Sequence, residues 1–352
     1  MVTFGALTAN NELTFGSFHN CFEATGGVPE RISGFSWLPQ YHDMGLIAAI
    51  ITAFSHGWRL HMMSPVSFIQ NPVLWLDLMS RHKIHWSAAP DFAFRLAARK
   101  FLEAQERSDG KQYSNLDLSS IRILFNAAEP VRLDTRDLFG NAFSQFGLRD
   151  NWFVVCYGLA EHTVSCCYNH GKQISTLREG EDVMPLVAVG SKATISKFSS
   201  TIQIVDPLTC EVVPDGVTGE LWISGPSVAA GYFGRSQQSQ ETFNARIRNG
   251  WAELSSKPFL RTGDLAFFQG EYLYICGRLK DLIICNGVNY YPQDIESTVQ
   301  EACPSLVRAG CVAAFSSNDV GGGDGNLEIV FEIRKCGKAI LKDTVDEIHR
   351  QI

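Results

Sequence analysis

Helix-type and strand-type patterns alternate along the first half of this chain, and the alternation restricts the architectures open to it. Short β-rich runs occur at 121–125 (IRILF) and 153–156 (FVVC). Apolar residues in 94–102 follow the i, i+3, i+4, i+7 spacing of one helical face. The pair Asn71-Pro72 predicts another helix start, with the asparagine as N-cap. Such alternation favours an α/β fold over an all-α or all-β one.

The pattern changes after about residue 186. The runs TIQIV, ELWIS and EYLYIC predict strands separated by turn signals, which is typical of an antiparallel, partly barrel-like section. From Gly277 a smaller α+β unit follows, with a helix predicted over 292–302. The 352 residues of the chain suggest two domains at about 150 residues each. We place them at 1–277 and 278–352.

Composition excludes several functional classes. With 30 Lys+Arg against 37 Asp+Glu the net charge is −7, which argues against a bulk nucleic-acid binder. The longest apolar run, 45–54, is far shorter than the ~20 residues that span a bilayer, so we expect no integral membrane segment. The start resembles no signal peptide, and the ten cysteines include no CxxC pair. We therefore expect reduced thiols and a cytoplasmic location.

The first segment with possible chemistry is 37–45 (WLPQYHDMG), where His42 and Asp43 precede a glycine that opens an apolar helix. A helix start offers free N–H groups and the positive end of a dipole, which suit a carboxylate or a phosphate. An ordinary N-cap at Asp43 beside a partly exposed histidine explains the same residues. Spacing alone favours that simpler interpretation.

The second segment is 126–130 (NAAEP), directly after IRILF. Small residues at this point let a flat ring approach the backbone, whose polar groups can bind the edge of a base. The alternative is a plain strand-to-helix turn with Glu129 in the first turn of the helix.

The third segment is 157–161 (YGLAE), directly after FVVC. A carboxylate at a strand end, here Glu161, can hold Mg²⁺, which usually takes one or two protein carboxylates plus substrate phosphates. The ring of Tyr157 can stack on a base or line a pocket. A turn with Glu161 as a solvated acid is the alternative.

The fourth segment is 261–265 (RTGDL), followed by 277–281 (GRLKD). The two oxygens of Asp264 suit a vicinal diol such as a ribose, and Arg278 offers a charged donor to the same sugar or to a phosphate. Both segments are also common in turns and on surfaces.

Together, in the order WLPQYHDMGLI, NAAEP, YGLAE, RTGDL and GRLKDLIICNGVNYYPQDIE, these segments resemble the adenylate-forming superfamily of acyl-CoA synthetases, luciferases and peptide-synthetase adenylation domains. The wording is most similar to the fatty acyl-AMP ligases, as are SPVSFIQNPVLWL and SGPSVAAGYFGR. The resemblance covers nearly the whole chain. It implies the adenylate-forming fold, an α/β class in which a large N-terminal AMP-binding domain with a barrel-like β section precedes an α+β lid.

The resemblance also implies a reaction. A fatty acid carboxylate attacks the α-phosphorus of ATP and gives acyl-AMP and pyrophosphate, after which the acyl group passes to an acyl carrier protein or a polyketide synthase. The attacking carboxylate is already ionised at neutral pH, so no general base is required. The enzyme positions the reactants and neutralises phosphate charge with Mg²⁺ and cationic side chains.

Roles follow residue by residue from the resemblance. Asp264 is expected to hold the ribose hydroxyls with Arg278 close by. Catalytic roles fall on His42, on Glu161 as the Mg²⁺ ligand and on Lys280 at the hinge before the lid. The acyl and phosphate side of the pocket is expected to contain Trp37, Asp43, Met44 and Gly45. The adenine border and nucleotide pocket are expected to contain Asn126, Ala127, Ala128, Glu129, Pro130, Tyr157, Gly158, Leu159 and Ala160.

The chain departs from the family pattern in places. Phe4 and Ala127 replace the usual histidine and glycine. A phosphate-binding loop is expected before Met1 and a catalytic lysine after Ile352, so we expect this chain to be a fragment that lacks both. The stretch 161–190 is short for the ligases, which leaves a long-chain fatty acyl-CoA synthetase open as an alternative. The expected lack of the phosphate-binding loop and the lysine leaves a second alternative, a non-catalytic nucleotide- and acyl-binding module. An amino-acid-activating domain is less favoured.

Overall fold

The computed structural model describes residues 1–108, 113–170, 176–177, 185–196, 200–249, 252–285, 288–304, 306–317, 326–334, 345–346 and 348. The chain divides into two compact units. The first unit comprises Met1–Leu177, Leu186–Thr262 and Phe267–Ile275. The second comprises Arg178–Pro185, Gly263–Ala266 and Cys276–Ile352.

A six-stranded sheet in the order β2-β1-β3-β4-β5-β6 forms the centre of the first unit. Its strands are β1 (Ser33–Ser36), β2 (Arg59–Met62), β3 (Trp86–Ala89), β4 (Ile123–Asn126), β5 (Phe153–Gly158) and β6 (Ser165–His170). Strands β1 to β5 pair in parallel, and β6 is antiparallel to β5. Every residue of β1, β3 and β4 is buried, as expected for a parallel sheet covered on both faces. The predicted α/β class is confirmed.

A helix precedes the first strand of this sheet, and further helices form the connections between its strands. They are α1 (Phe4–Ala24), α2 (Thr52–Ser55), α3 (Pro65–Gln70), α4 (Val73–Arg81), α5 (Asp91–Arg107) and α6 (Leu133–Phe143), with a π-helix at Met44–Ile51 and 3₁₀ turns at Ser144–Phe146 and Ala160–His162. The helix predicted over 94–102 is confirmed within α5, which buries Phe94 and Phe101. The predicted N-cap at Asn71 is wrong. Asn71 instead ends α3, its N–H donating to the carbonyl of Ser67, and Pro72 occupies the N-cap position of α4 without a side-chain hydrogen bond.

A second six-stranded sheet has the order β7-β8-β12-β11-β10-β9. Its strands are β7 (Thr176–Leu177), β8 (Leu186–Ser191), β9 (Thr201–Val205), β10 (Gly219–Ser224), β11 (Leu260–Gln269) and β12 (Tyr272–Arg278). The pairs β7–β8, β8–β12 and β9–β10 are antiparallel, as the sequence predicts. Short helices α7 (Lys192–Ser196), α8 (Ser236–Phe243) and α9 (Ala252–Ser256) accompany it. Trp222 and Phe259 lie in a fully buried cluster on this sheet.

The described part of the second unit includes two antiparallel strand pairs and a helix. The elements are β13 (Ile283–Cys285), β14 (Val288–Tyr290), α10 (Pro292–Ala302), β15 (Val307–Ser317) and β16 (Asn326–Ile333), with a 3₁₀ turn at Leu279–Asp281. Ile295 of α10 packs with Ile283 and Ala314. The helix predicted over 292–302 and the α+β character of this unit are confirmed.

Two negative findings concern the described residues. None of their helices combines the length and apolar character needed to cross a membrane. The eight cysteines whose side chains the structure describes are free of disulfides.

Candidate functional site

Three of the sequence-predicted segments lie at one edge of the parallel sheet. Segment 37–45 follows β1, segment 126–130 follows β4, and 157–161 spans the end of β5 and the turn after it. Because β1, β3, β4 and β5 are parallel neighbours, their carboxyl ends share this edge. In open α/β sheets ligands bind outside the carboxyl ends of the strands.

A tight turn shapes segment 37–45. The N–H of His42 donates to the carbonyl of Pro39 at 3.0 Å. A Cβ added to Gly45 would lie 2.2 Å from that same carbonyl oxygen. Only glycine therefore allows the π-helix to start directly against the turn, and this requirement explains the glycine of the motif.

The polar residues of this segment form a local cap. Asp43 accepts a hydrogen bond from the N–H of Met44 at 2.7 Å, and its carboxylate lies 2.9 Å from Nδ1 of His42. The side chain of His42 is 50% exposed. This arrangement is an ordinary N-cap at Asp43 beside a partly exposed histidine. The exposed part of the imidazole is accessible to solvent or a ligand. Trp37 and Met44 are buried, and the indole of Trp37 stacks on Phe68 with ring centroids 3.9 Å apart.

A buried carboxylate anchors segment 126–130. Asp91, which opens α5 and is 3% exposed, accepts hydrogen bonds from Asn126 Nδ2 at 2.8 Å and Thr135 Oγ1 at 2.6 Å. The N–H of Arg132 donates to the same carboxylate at 3.2 Å. Burial raises the pKa of Asp91, and these hydrogen bonds oppose the rise. Sequence motifs did not reveal Asp91, although it follows directly after the proline between strand and helix.

Glu129 occupies a position that the sequence did not predict. Its Oε2 accepts a hydrogen bond from the N–H of Phe92 at 3.0 Å and so caps α5. It does not lie in the first turn of the next helix, which begins at Leu133. Desolvation of its carboxylate by the surrounding protein raises the pKa of Glu129, the Phe92 hydrogen bond lowers it, and the charge of Asp91 raises it again.

The remaining residues of this segment leave an accessible rim. Ala127 is buried, whereas Ala128, Glu129 and Pro130 are exposed. Ala128 has a φ of +70°, in the left-handed region that alanine rarely adopts. Strained backbone of this kind clusters at ligand sites.

Segment 157–161 ends β5 and enters a 3₁₀ turn. A Cβ on Gly158 would lie 1.8 Å from the carbonyl oxygen of Val164, so the return into β6 requires glycine. Tyr157 is half-buried, Leu159 packs against the buried cluster that includes Phe243, and Ala160 is exposed.

The carboxylate of Glu161 has one bound oxygen and one free one. Its Oε1 accepts a hydrogen bond from the hydroxyl of Tyr232 at 2.7 Å. Within the described ranges, Oε2 has no hydrogen-bond or ion-pair partner. Burial raises the pKa of Tyr232 to about 12, and the bond to Glu161 contributes to the rise.

Asn10 of α1 stabilises this turn through side-chain hydrogen bonds that sequence patterns did not reveal. Its Nδ2 donates to the carbonyls of His162 and Ser165, both at 2.9 Å, and the side chain is fully buried. An asparagine inside a long helix was the available signal, because such residues are disfavoured there without a partner. His162 is itself buried, and burial lowers its pKa to about 4.

The donor set suits one kind of metal site. No group of three or more His, Cys, Asp or Glu side chains among the described residues is arranged to hold a metal ion. A single free carboxylate oxygen matches Mg²⁺ bound jointly with substrate phosphates and water. It does not match a metal centre built from protein ligands alone.

In the second unit, Arg278 Nε lies 3.3 Å from Asp264 Oδ1. Asp264 is 8% exposed, whereas the side chain of Arg278 is 61% exposed. Lys280 is exposed on the 3₁₀ turn Leu279–Asp281. The structure thus brings Asp264 and Arg278 together, and their common role at a nucleotide stays a prediction.

Comparison with known proteins places the sequence in a family. The family model described as AMP-binding enzyme matches residues 1–233. A Mycobacterium leprae protein, named provisionally as the fatty-acid–CoA ligase FadD21, is 36% identical over 332 residues, which are 90% of this chain and 54% of that protein. The medium-chain-fatty-acid–[acyl-carrier-protein] ligase JamA of Moorena producens is 35% identical over 306 residues, 82% of this chain and 50% of JamA. The chain thus spans about half the length of these curated relatives.

Among solved structures, a fatty acyl-adenylate ligase from L. pneumophila, in complex with acyl adenylate and pyrophosphate, is 32% identical with a TM-score of 0.70. The match covers 99% of this chain and 60% of the ligase chain. The expected adenylate-forming fold is therefore confirmed. With its family model matched over most of the sequence, this chain belongs to the AMP-binding enzyme family.

Proposed function

We propose that this chain carries the acid-activating part of a fatty acyl-AMP ligase. The reaction joins a fatty acid carboxylate to the α-phosphorus of ATP and releases pyrophosphate. The observation that carries the proposal is the shared sheet edge, where segments 37–45, 126–130 and 157–161 follow three parallel strands. The similarity to a ligase solved with acyl adenylate and pyrophosphate supports the same assignment.

The residues divide the work by their chemistry. Segment 126–130 and residues 157–160 border the base, and Asp264 with Arg278 binds the ribose side. Glu161 would hold Mg²⁺ together with the phosphates of ATP, and that ion would supply charge neutralisation. Trp37, Met44 and Gly45 lie on the acyl side. His42, Asp43 and Lys280 serve the phosphate and carboxylate groups.

Positioning dominates this chemistry. A fatty acid carboxylate is ionised at neutral pH, so the protein has no proton to remove from it. Catalysis then depends on holding the carboxylate in line with the α-phosphorus and on stabilising the charge that develops there. Residues 1–277 are proposed as the AMP-binding domain and 278–352 as lid residues. The cytoplasmic location stays a prediction.

The test uses the full-length form of this protein with ATP, MgCl₂ and fatty acids of several lengths. We expect acyl-AMP by mass spectrometry, and binding of a non-hydrolysable acyl-sulfamoyl adenosine by calorimetry. Glu161→Gln is expected to reduce product formation and Asp264→Ala to weaken analogue binding. A chain that binds the analogue without forming acyl-AMP is a non-catalytic binding module. One that neither binds nor forms product contradicts the proposal.

A fatty acyl-CoA synthetase is the second candidate, favoured by the similarity to FadD21. The JamA similarity favours a carrier protein, or a polyketide synthase that contains one, as the acyl acceptor. Supplying coenzyme A and a phosphopantetheinylated carrier protein in parallel separates the two. Acyl transfer to the carrier alone supports the ligase, and transfer to coenzyme A supports the synthetase.

A further inference from the structure

Neither the sequence analysis nor the proposed site assigns a role to Tyr232, yet its hydroxyl donates to Glu161 Oε1 at 2.7 Å. The two residues are 71 positions apart, so the contact comes from the fold and not from a local turn. A tyrosine hydroxyl that donates to a carboxylate binds the ionised form of the acid, which is also the form that ligates a cation.

The backbone around both residues is fixed independently of this bond. The N–H of Ala229 donates to the carbonyl of Glu161 at 2.8 Å. The hydroxyl of Thr163 donates to the carbonyl of Ser227, also at 2.8 Å. Loss of the tyrosine hydroxyl therefore leaves the segment 225–235 attached to the turn.

The ring of Tyr232 is held by α8. The hydroxyl of Ser239 accepts a hydrogen bond from the N–H of Tyr232 at 2.8 Å and donates to its carbonyl at 3.2 Å. The ring meets Phe243 edge-on, with centroids 5.1 Å apart. These contacts involve atoms that a phenylalanine also possesses, so removal of the hydroxyl alone preserves them.

One carboxylate oxygen is thus occupied and the other is left open. A glutamate side chain has three rotatable bonds, and a free one loses that freedom when it binds a cation. The Tyr232 bond fixes the rotamer beforehand and directs Oε2 away from the bonded side. Partners that orient a metal ligand in this way affect metal affinity although they never touch the ion.

We propose that Tyr232 is a positioning residue, which orients Glu161 so that Oε2 is the oxygen offered to Mg²⁺ when nucleotide binds. This inference rests on the proposed function, because it assigns a partner to the residue expected to hold the metal.

The test measures ATP binding to the full chain by calorimetry, once in EDTA and once across a MgCl₂ titration. For Tyr232→Phe we expect the Mg²⁺ concentration at half-maximal enhancement to rise by roughly tenfold or more, the usual effect of losing a ligand's orienting partner. Metal-free ATP affinity is expected to stay as in wild type. Tyr272→Phe is the matched control, since the hydroxyl of Tyr272 has no partner among the described residues and the residue lies on β12.

Two further variants make the result specific. In a Glu161→Gln background, Tyr232→Phe is expected to cause no additional change, because the residue through which it acts is already neutral. Ser239→Ala, which loosens the backbone of Tyr232 but keeps its hydroxyl, is expected to give a smaller shift in the same direction. It also replaces Tyr232→Phe in the test if that variant does not fold.

The outcomes distinguish a failure of this inference from a failure of the proposed function. If wild type binds ATP in a Mg²⁺-dependent way and Tyr232→Phe is indistinguishable from it, the inference is wrong and the proposed function stands. Equal losses with and without Mg²⁺ assign Tyr232 to packing and also overturn the inference. If wild type binds no ATP under either condition, the proposed function fails and the inference with it.

Discussion

Glu129 accepts a hydrogen bond from the N–H of Phe92 at 3.0 Å, and the neighbouring Asp91 accepts one from Asn126 at 2.8 Å. The two bonds run in opposite directions between the start of α5 and segment 126–130. The start of α5 and segment 126–130 therefore stabilise each other. Because α5 begins directly after β3, the proposed base-binding rim is attached to the end of β3 as well as to its own strand, β4.

Replacing Asp91 tests this link. Asp91→Ala leaves the amide of Asn126 and the hydroxyl of Thr135 without their buried acceptor. We expect the free energy of unfolding to fall by about 2–3 kcal/mol, the usual cost of stranding buried polar groups. Urea denaturation measures it. Asp137→Ala, at a side chain that is 57% exposed, is the control and is expected to change it by less than about 0.5 kcal/mol. Equal effects would contradict the link.

Glu129 is expected to behave as a helix cap. Glu129→Ala removes the acceptor of the Phe92 N–H and should cost about 1 kcal/mol. Glu129→Gln keeps an acceptor oxygen and should lie close to wild type. Denaturant midpoints of the two variants check this. A glutamine variant as unstable as the alanine variant would show that the charge, and not the hydrogen bond, matters.

His162 predicts a dependence of stability on pH. Burial lowers its pKa from 6.5 to about 4, so the unfolded chain binds a proton at a pH where the folded protein does not. Stability from this group is fully present above pH 6.5 and is lost as the pH falls towards 4. Over this pH range the free energy of unfolding falls by about 3 kcal/mol because of this residue. Denaturation at several pH values should show a shallower loss for His162→Gln than for wild type. Parallel curves for the two proteins would contradict it.

Asp264 is expected to bind the ribose of the nucleotide. Asp264→Ala should weaken ATP binding roughly tenfold, since a hydrogen bond to a charged group contributes about 1.5 kcal/mol or more. The same substitution should not alter the affinity for 2′,3′-dideoxy-ATP, which lacks both hydroxyls. A comparison of the two nucleotides by calorimetry measures this difference. An equal loss for both nucleotides would remove the ribose assignment.

Gly45 is expected to tolerate no side chain. A methyl group at this position meets the carbonyl oxygen of Pro39 at 2.2 Å, so Gly45→Ala should cost at least about 2 kcal/mol by overpacking. Gly5→Ala is the matched control, because its methyl group would have no contact closer than 3.9 Å and alanine is the better helix former. The control should unfold at the same or a slightly higher temperature than wild type.

Local sequence signals predicted the elements whose cause is local. Pro292 at the first turn and apolar residues at helical spacing locate α10, and the run TIQIV coincides with β9. The long helix α1 escaped prediction because its buried face includes Asn10, Thr14 and Ser17, which break the apolar stripe. The apolar helix predicted to open at Gly45 is present as Met44–Ile51, but its π winding, which departs from the 3.6-residue period, was not predicted.

The same distinction between local and long-range determinants applies to the candidate site. Segment identities followed from motif wording, but the contacts of Glu129 with Phe92 and of Glu161 with Tyr232 join residues 37 and 71 positions apart. No spacing rule within one sequence encodes such pairs. Their geometry depends on which strands become neighbours, and that is a property of the whole sheet.

The parallel order of β1 to β5 has a kinetic consequence. Parallel neighbouring strands need a crossover connection between them. Each strand pair at the site therefore loses the chain entropy of closing a long loop before the contacts between the strands can form. Chains with such topology fold slowly and expose apolar strands while they do so. The ligand-side turns therefore acquire their shape late in folding, and production of the protein should benefit from low temperature and slow synthesis.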